Sequence, residues 1–517
     1  MESDYKKTKY YRVGRATDLE GSEYKLYRCL EILPGAVSWL TLILLAVLSY
    51  FIPFYCAIGI IAFDFYWFLK TIYFSLYLRA SWKKIQINLE TDWRERLSRF
   101  KYTHIHQMVI LPFYNEDREI IEKSLDSLIN SDWNHKKIIV VLAGEERAKD
   151  DTKKMAEEVV EKYAKKFGHF VYTIHPAGQP DEMPGKGSNI AYAIEKTRID
   201  VLDKNGIAYE DVLVSAFDID TIVYPGYFLC LTWNFLISEH PYRTSFQPVP
   251  VFNNNIWESP AISRVVASSG SFWQMMQQER PEKLATFSSH SVCFKTIYDA
   301  GFWQKNIVSE DSRIFWNSLL AFDGDYRTTP IYYPVSMDGN LAPTLWQTAV
   351  NVYKQQRRWA WGAENFPYIV FGFIKNKKIP FWRKFYLTSV VFEGLWSWST
   401  NSLIIFVSGW LPIILGGSAF SYTVISYNLP VIIRDMAIFS MLGLFLAVLV
   451  SMSFLPPKPA DHKNRFTKMF MVFQWVLVPF TVIVFGSIPA LDAQTRLMFG
   501  KYMGFWVTPK HRAGLNK

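Results

Sequence analysis

The sequence has little cysteine: Cys29, Cys56, Cys230 and Cys293 make up its four. None stands in a CxxC pair, which argues against a zinc ribbon or a disulfide framework and leaves buried free thiols as the expectation. Charge of one sign is nearly lacking as well. Lys and Arg outnumber Asp and Glu by 56 to 47, a net +9 over 517 residues. That excess forms no single basic stripe, so a nucleic-acid partner is excluded. GxxxxGK[ST] spacing, internal repeats and low-complexity linkers are absent too. The N-terminus does not read as a cleavable leader: residues 1–35 carry seven Lys/Arg, and apolar sequence starts only near Pro34.

What the chain has in quantity is apolar and aromatic sequence, 50% and 17%. Val37 to Phe51 and Phe54 to Leu78 each approach the roughly 20 residues that cross a bilayer, and residues 36–79 are expected to form a transmembrane hairpin behind a cytosolic segment, 1–35. Asp64 and Lys70 fall in the second span. A carboxylate there is costly, so Asp64 should face protein or the interface.

Residues 80–365 read as a soluble domain in which short apolar runs (Met108–Leu111, Ile138–Leu142) alternate with helical stretches (Glu119–Ile129, Thr152–Lys165). That alternation predicts an α/β fold on a mostly parallel sheet. Residues 366–397 begin with aromatics mixed with Lys375, Lys377, Lys378, Arg383 and Lys384, an amphipathic interfacial pattern. Further spans are expected at about 398–416, 431–454 and 469–489, within 398–490, followed by a basic tail, 491–517. The connection Gly417–Pro430 carries no charge, whereas Leu455–Lys468 carries Lys458, Lys463, Arg465 and Lys468. The positive-inside rule then sets the first outside and the second, with the soluble domain, in the cytosol. Five spans would leave the C-terminus outside, against five Lys/Arg in 492–517. A stretch around Pro479 that does not cross, or a return through Leu497–Val507, would remove the conflict.

Chemistry concentrates in five places. Ser215-Ala-Phe-Asp218-Ile-Asp220 follows the strand-like Asp211-Val-Leu-Val. Two carboxylates one residue apart at a strand end can converge on a divalent ion, Mg²⁺ or Mn²⁺, that neutralises a diphosphate. Ser309-Glu310-Asp311 offers a carboxylate base, and reads equally as a helix start capped by Ser309. In Gln355-Gln-Arg-Arg358-Trp359, helical spacing puts Gln355, Arg358 and Trp359 on one side, suited to phosphate oxygens and a sugar face. Pro112-Phe-Tyr-Asn115-Glu116 sits at a strand's carboxyl end. Gly185-Lys186-Gly187-Ser-Asn189 opens a helix, where a phosphate or nucleotide can sit.

In this order, with flanking membrane helices, these motifs resemble the family 2 glycosyltransferases over about residues 105–365, and within them the cellulose, chitin and hyaluronan synthase group. The ending Phe505-Trp-Val-Thr508-Pro-Lys510 is similar to that of cellulose synthases. The resemblance implies a GT-A fold, a nucleotide-sugar donor, a divalent cation and inversion at the anomeric carbon. It implies that Asp218 contacts donor and, with Asp220, metal; that Asp311 is the base, helped by Glu310; and that Gln355 and Arg358 hold the diphosphate. Trp359 would floor the acceptor site, which His290 would help to line. Lys186 would meet the diphosphate or nucleobase, and Asn115 and Glu116 would lie near the nucleoside. The family's Val-Asp-Asp-Gly-Ser run is replaced by Val140-Val-Leu-Ala-Gly144-Glu145-Glu146, so Glu145 or Glu146 would substitute at the base.

The expected product is a growing polysaccharide, built processively from a UDP-sugar ahead of a GDP-sugar and passed through the spans. One sugar transferred to a lipid, ceramide or polyprenyl phosphate, is the alternative. A non-catalytic nucleotide-sugar sensor or a transporter is the rival from another class. A transporter calls for intramembrane charge pairs, and Asp64, Lys70, Glu393 and Arg434 are unpaired by sequence. The membrane would be a plasma or inner membrane, or the ER or Golgi, with an accessory subunit left open.

Overall fold

The computed structural model describes residues 9–457 and 467–509. Most of the basic connection expected at Leu455–Lys468, and Lys510 of the tail, lie outside the described residues. Two long helices open the chain, α1 (Gly21–Phe51) and α2 (Pro53–Glu90). The domain continues with β1 (His106–Pro112), α3 (Arg118–Ile129), β2 (Ile138–Glu145), α4 (Asp150–Tyr163) and β3 (His169–His175). Next come α5 (Lys186–Thr197), β4 (Val212–Ala216), β5 (Ile222–Val223), α6 (Tyr227–Ile237) and β6 (Thr244–Val251). Then follow α7 (Ala261–Gln278), β7 (Ser291–Cys293), α8 (Glu310–Ala321), β8 (Arg327–Ser336) and α9 (Leu345–Ala360). The chain closes with α10 (Asn365–Lys375), α11 (Phe381–Phe406), α12 (Val424–Ser453) and α13 (Lys468–Met498).

The eight strands form one sheet in the order β3-β2-β1-β4-β7-β6-β8-β5. β3, β2, β1 and β4 pair parallel, and β6 pairs parallel with β8. β7 runs antiparallel between β4 and β6, and β5 antiparallel to β8. The sheet is therefore mixed and mostly parallel. β2 is buried along its whole length, because helices cover both faces and an unbroken apolar run suits both. Alternation sends Val109, Leu111, Val140 and Leu142 into one core and Met108, Ile110, Ile139 and Val141 into the other. Strand order reverses between β1 and β4, and a ligand of such a sheet sits outside the carboxyl ends at that switch.

Four helices among the described residues, α1, α2, α12 and α13, are long and apolar enough to cross a membrane. The stretch 398–416 is not one helix. α11 ends at Phe406, and short turns at Ser408–Trp410 and Leu411–Leu415 follow, where Gly409 and Pro412 interrupt the helical ladder. α10 is also not interfacial: Phe366, Tyr368, Ile369 and Phe371 are buried, and exposed aromatics begin only at Phe381, Trp382 and Phe385. Asp64 is buried against protein, and Lys70, unpaired in sequence terms, bonds Glu393 at 2.6 Å. All four cysteines are free, but Cys29 is exposed rather than buried.

Both ends of the described chain close on the domain. Arg12 donates to the Ala300 carbonyl at 3.0 Å, and the buried Arg313 of α8 ties three segments together. Its Nε donates to Asn365 Oδ1 (2.6 Å), its Nη1 to the Val13 carbonyl and Gln304 Oε1 (3.2 and 3.1 Å), and its Nη2 to the Glu364 carbonyl (3.2 Å). The guanidinium stacks on Tyr368 at 3.9 Å. Replacing it by Met leaves several buried acceptors unpaired, which costs about 2–4 kcal/mol. Arg313→Met is expected to lower the melting temperature of the detergent-solubilised protein by several degrees. An unchanged melting temperature would show that the N-terminal segment is not held this way.

Candidate active site

The site is built from the helix starts inward. Gly185 precedes α5 with φ 152°, and a Cβ there would lie 2.6 Å from Phe505 Cγ. A Cβ on Gly187 would lie 3.1 Å from both Glu310 Cβ and the Gln304 carbonyl. The two glycines thus let the tail and α8 close on Lys186 from either side. Asn189 Nδ2 donates to the Ala143 carbonyl at 2.8 Å, fixing α5 to the carboxyl end of β2.

Lys186 is buried with its ammonium among carboxylates: Asp218 Oδ1 at 2.7 Å, Asp311 Oδ1 and Oδ2 at 2.9 and 2.8 Å, Glu310 Oε1 at 3.8 Å. Burial alone would lower the ammonium's pKa, but Asp218, Asp311 and Glu310 outweigh it and hold the pKa well above the ordinary lysine value. Burial pushes the Glu310 carboxyl up, and the neighbouring Asp311 pushes it the same way, against Lys186 and Arg358. His290 is fully buried 3.9 Å from Asp311 Oδ1, and its Nδ1 pairs with the Phe287 carbonyl at 2.9 Å. Desolvation lowers its pKa, so the ring is neutral and Nδ1 carries the donated proton.

Ser309 stands at the N-cap of α8, but its side chain does not cap the helix. Glu364 supplies the acceptor from outside: its Oε1 receives Val308 N (3.1 Å), Ser309 N (2.8 Å) and Ser309 Oγ (2.7 Å), and its Oε2 receives Trp361 Nε1 (2.9 Å). That contact, which the sequence reading did not find, fixes Glu310 and Asp311 in the first turn. Only its closeness to Trp359 in sequence could have pointed to it.

Asp218 and Asp220 turn to different partners. Ser288 Oγ donates to Asp218 Oδ2 at 2.8 Å, whereas Asp220 Oδ2 receives the Asp338 amide at 2.9 Å. Asn254 Nδ2 bridges the Asp220 carbonyl and Asp338 Oδ1 at 2.9 and 3.0 Å. Among the described residues no three His, Cys, Asp or Glu side chains cluster as a metal site. Asp338 and Asn254 were not foreseen, because both lie far from the Asp-x-Asp run in sequence.

α9 brings Gln355 and Trp359 to a cleft that Asp338 also lines. Trp359 packs against Phe252 and Phe287, centroids 5.9 and 6.0 Å away. Arg358 lies 5.0 Å over the Phe505 ring. Asn115, Glu116 and Glu145 stay apart from this cluster, at the carboxyl ends of β1 and β2. Asn115 Oδ1 receives Lys149 N at 3.0 Å, Glu116 Oε2 receives Tyr114 N at 2.6 Å, and Glu145 pairs with Arg147, whose guanidinium lies 4.5 Å over Tyr114.

Residues 108–202 match the family model described as Glycosyl transferase family 2. No curated protein matches the chain. Among solved structures, the mannosyltransferase PcManGT from Pyrobaculum calidifontis, in complex with GDP-Man and Mn²⁺, is 13% identical with a TM-score of 0.40, over 74% of this chain and 99% of that one. Residues 1–349 of TarS from S. aureus are 13% identical with a TM-score of 0.35, over 68% and 91%. At that distance neither likeness assigns a donor or an acceptor. The family match and the sheet order make the domain an α/β fold of GT-A type.

Because the folded chain holds the Glu310 proton more tightly than the unfolded chain does, this group's contribution to stability is full below the ordinary Glu range and falls as pH rises through and beyond it. Glu310→Gln removes that dependence. Its melting temperature relative to wild type is expected to climb between about pH 5 and pH 9, where the wild-type group ionises against its burial. A constant difference across that range would contradict the burial of a titrating carboxyl here.

Proposed function

We propose, from the match of residues 108–202 to the family 2 glycosyltransferase model, that the protein is an inverting, membrane-embedded glycosyltransferase extending a polysaccharide from a nucleotide-sugar, a UDP-sugar ahead of a GDP-sugar. The observation that carries this reading is the convergence, beside the β1/β4 switch, of Lys186, Asp218, Glu310, Asp311 and His290.

Asp311 takes the proton of an acceptor hydroxyl as that oxygen bonds to the sugar's C1. The C1–oxygen bond to the diphosphate breaks, and the nucleoside diphosphate leaves with the electron pair. Asp311 is tied to Lys186. An arriving diphosphate competes for that ammonium, so the base is released as the donor seats. Arg358 and Gln355 reach the same diphosphate from α9 and Trp359 floors the acceptor, whereas His290, expected to line the acceptor, is fully buried and stands behind Asp311 at 3.9 Å. Asn115, Glu116 and Glu145 meet the nucleoside.

The all-oxygen donors Asp220 and Asp218 suit a hard divalent cation, which supplies neutralisation of the leaving diphosphate when bound. Such ions take one or two carboxylates and complete their shell with phosphate oxygens, so no preformed protein cage is required.

If all four candidate helices among the described residues cross, Arg12 and Phe505 fall on one side of the membrane. Arg12 at the Ala300 carbonyl and Phe505 against Gly185 agree with that, since both touch the catalytic domain. The basic residues of 1–35 and 491–517 favour the cytosol for that side.

Asp311→Asn is expected to retain nucleotide-sugar binding while sugar transfer falls about 10²- to 10⁴-fold. The check is radiolabelled transfer alongside equilibrium binding of UDP- and GDP-sugars with Mn²⁺. Transfer that survives at wild-type rate would remove Asp311 as the base.

A further inference from the structure

Arg357 and Arg358 are neighbours on α9 but serve different sides of it, since successive helical residues point about 100° apart. Arg358 turns toward the carboxylate cluster, 5.0 Å over the Phe505 ring and close enough to act on the Glu310 charge. Arg357 turns onto α13, where its Nη1 donates to Asp492 Oδ2 at 2.9 Å. Tyr353, one turn earlier on α9, donates its hydroxyl to the same oxygen at 3.2 Å, and Arg496 Nε donates to Asp492 Oδ1 at 2.7 Å. One carboxylate of α13 thus holds two side chains of α9 a turn apart, which fixes the rotation of α9 about its own axis.

The end of α13 that carries Asp492 is itself bolted to two other helices. Ser38 Oγ of α1 donates to Gln494 Oε1 at 2.9 Å, Gln494 Nε2 donates to the Leu395 carbonyl of α11 at 2.8 Å, and Arg28 Nη1 of α1 donates to the Leu497 carbonyl at 2.8 Å. The helix bundle, and not only the sheet, therefore sets where α9 stands. Stability does not account for the pair: Asp492 and Arg357 keep 24% and 21% of their side chains exposed, and a partly exposed ion pair adds little to folding. Geometry does, because a displacement of about 1 Å at a group that holds a reactant can cost about 10²-fold in rate. We propose that Asp492 is a positioning residue, which through Arg357 aims Arg358 at the leaving diphosphate. This rests on the glycosyltransferase reading.

The test uses the purified full-length protein in detergent with the UDP- or GDP-sugar that it turns over. Asp492→Asn is expected to lower kcat/KM for that donor about tenfold or more, and Asp492→Glu to recover part of the loss, while the melting temperature stays within about 3 °C of wild type. The deciding readout is a double-mutant cycle. Added to Arg358→Gln, Asp492→Asn should cost less than about twofold more, because the group that it aims is gone. If Asp492→Asn does not fold, Arg357→Gln enters the same cycle with the same expected outcome. An unchanged kcat/KM in the single variant overturns the proposal, and so do losses that multiply in the double variant, the mark of a structural effect apart from Arg358. Either result in an active enzyme defeats this inference alone, whereas wild-type protein that turns over no donor defeats the glycosyltransferase reading with it.

Discussion

A single buried ammonium holds the site together. Lys186 lies within 3.0 Å of Asp218 and Asp311 and 3.8 Å of Glu310, and without it Asp218 and Asp311 would lose the buried cation that pairs both. Much of the surrounding structure serves that contact. Gly185 and Gly187 have no side chain because Phe505 and Glu310 must approach, Asn189 pins the helix to the sheet, and Glu364 holds the opposing helix start in register. The sheet contributes the place: β4 delivers the chain to Asp218 beside the strand switch, where an open α/β sheet leaves a crevice.

The same contact links the fold to the reaction. In the proposed reaction, a cation placed between Asp311, the proposed base, and Asp218 is a charge that an incoming diphosphate can compete for. Arg313 extends the coupling outward, because the helix that carries Asp311 is also the one that binds the N-terminal segment and the start of α10. The tail reaches the site from the other direction, through Phe505 beneath Arg358.

Periodicity made much of the parallel half of the sheet legible in the sequence. Ile138–Leu142 and Met108–Leu111 stood out as short apolar runs alternating with helical stretches, and both are strands. The site was legible as an ordered set of motifs but not as contacts. Asp218 and Asp220 were expected to converge because alternate residues of a strand point the same way. β4, however, ends at Ala216, so the two acids lie in a turn where that rule no longer holds. Glu364 and Asp338 were invisible for another reason: each acts across a long sequence separation, and neither stands in a pattern of its own. Residues 366–375 misled because an aromatic run beside lysines fits a membrane surface and a protein core equally, and α10 takes the core.

The proposed reaction requires a nucleoside diphosphate site at the carboxyl end of β1 and β4, where Asp218 and Asp220 would hold a divalent cation together with the phosphates. Calorimetric titration of UDP and GDP into the purified wild-type protein, with Mn²⁺ and then with EDTA, reads this most directly. The account predicts saturable binding of one nucleotide that is lost on chelation. Binding of neither nucleotide, or equal binding with and without the cation, would contradict it.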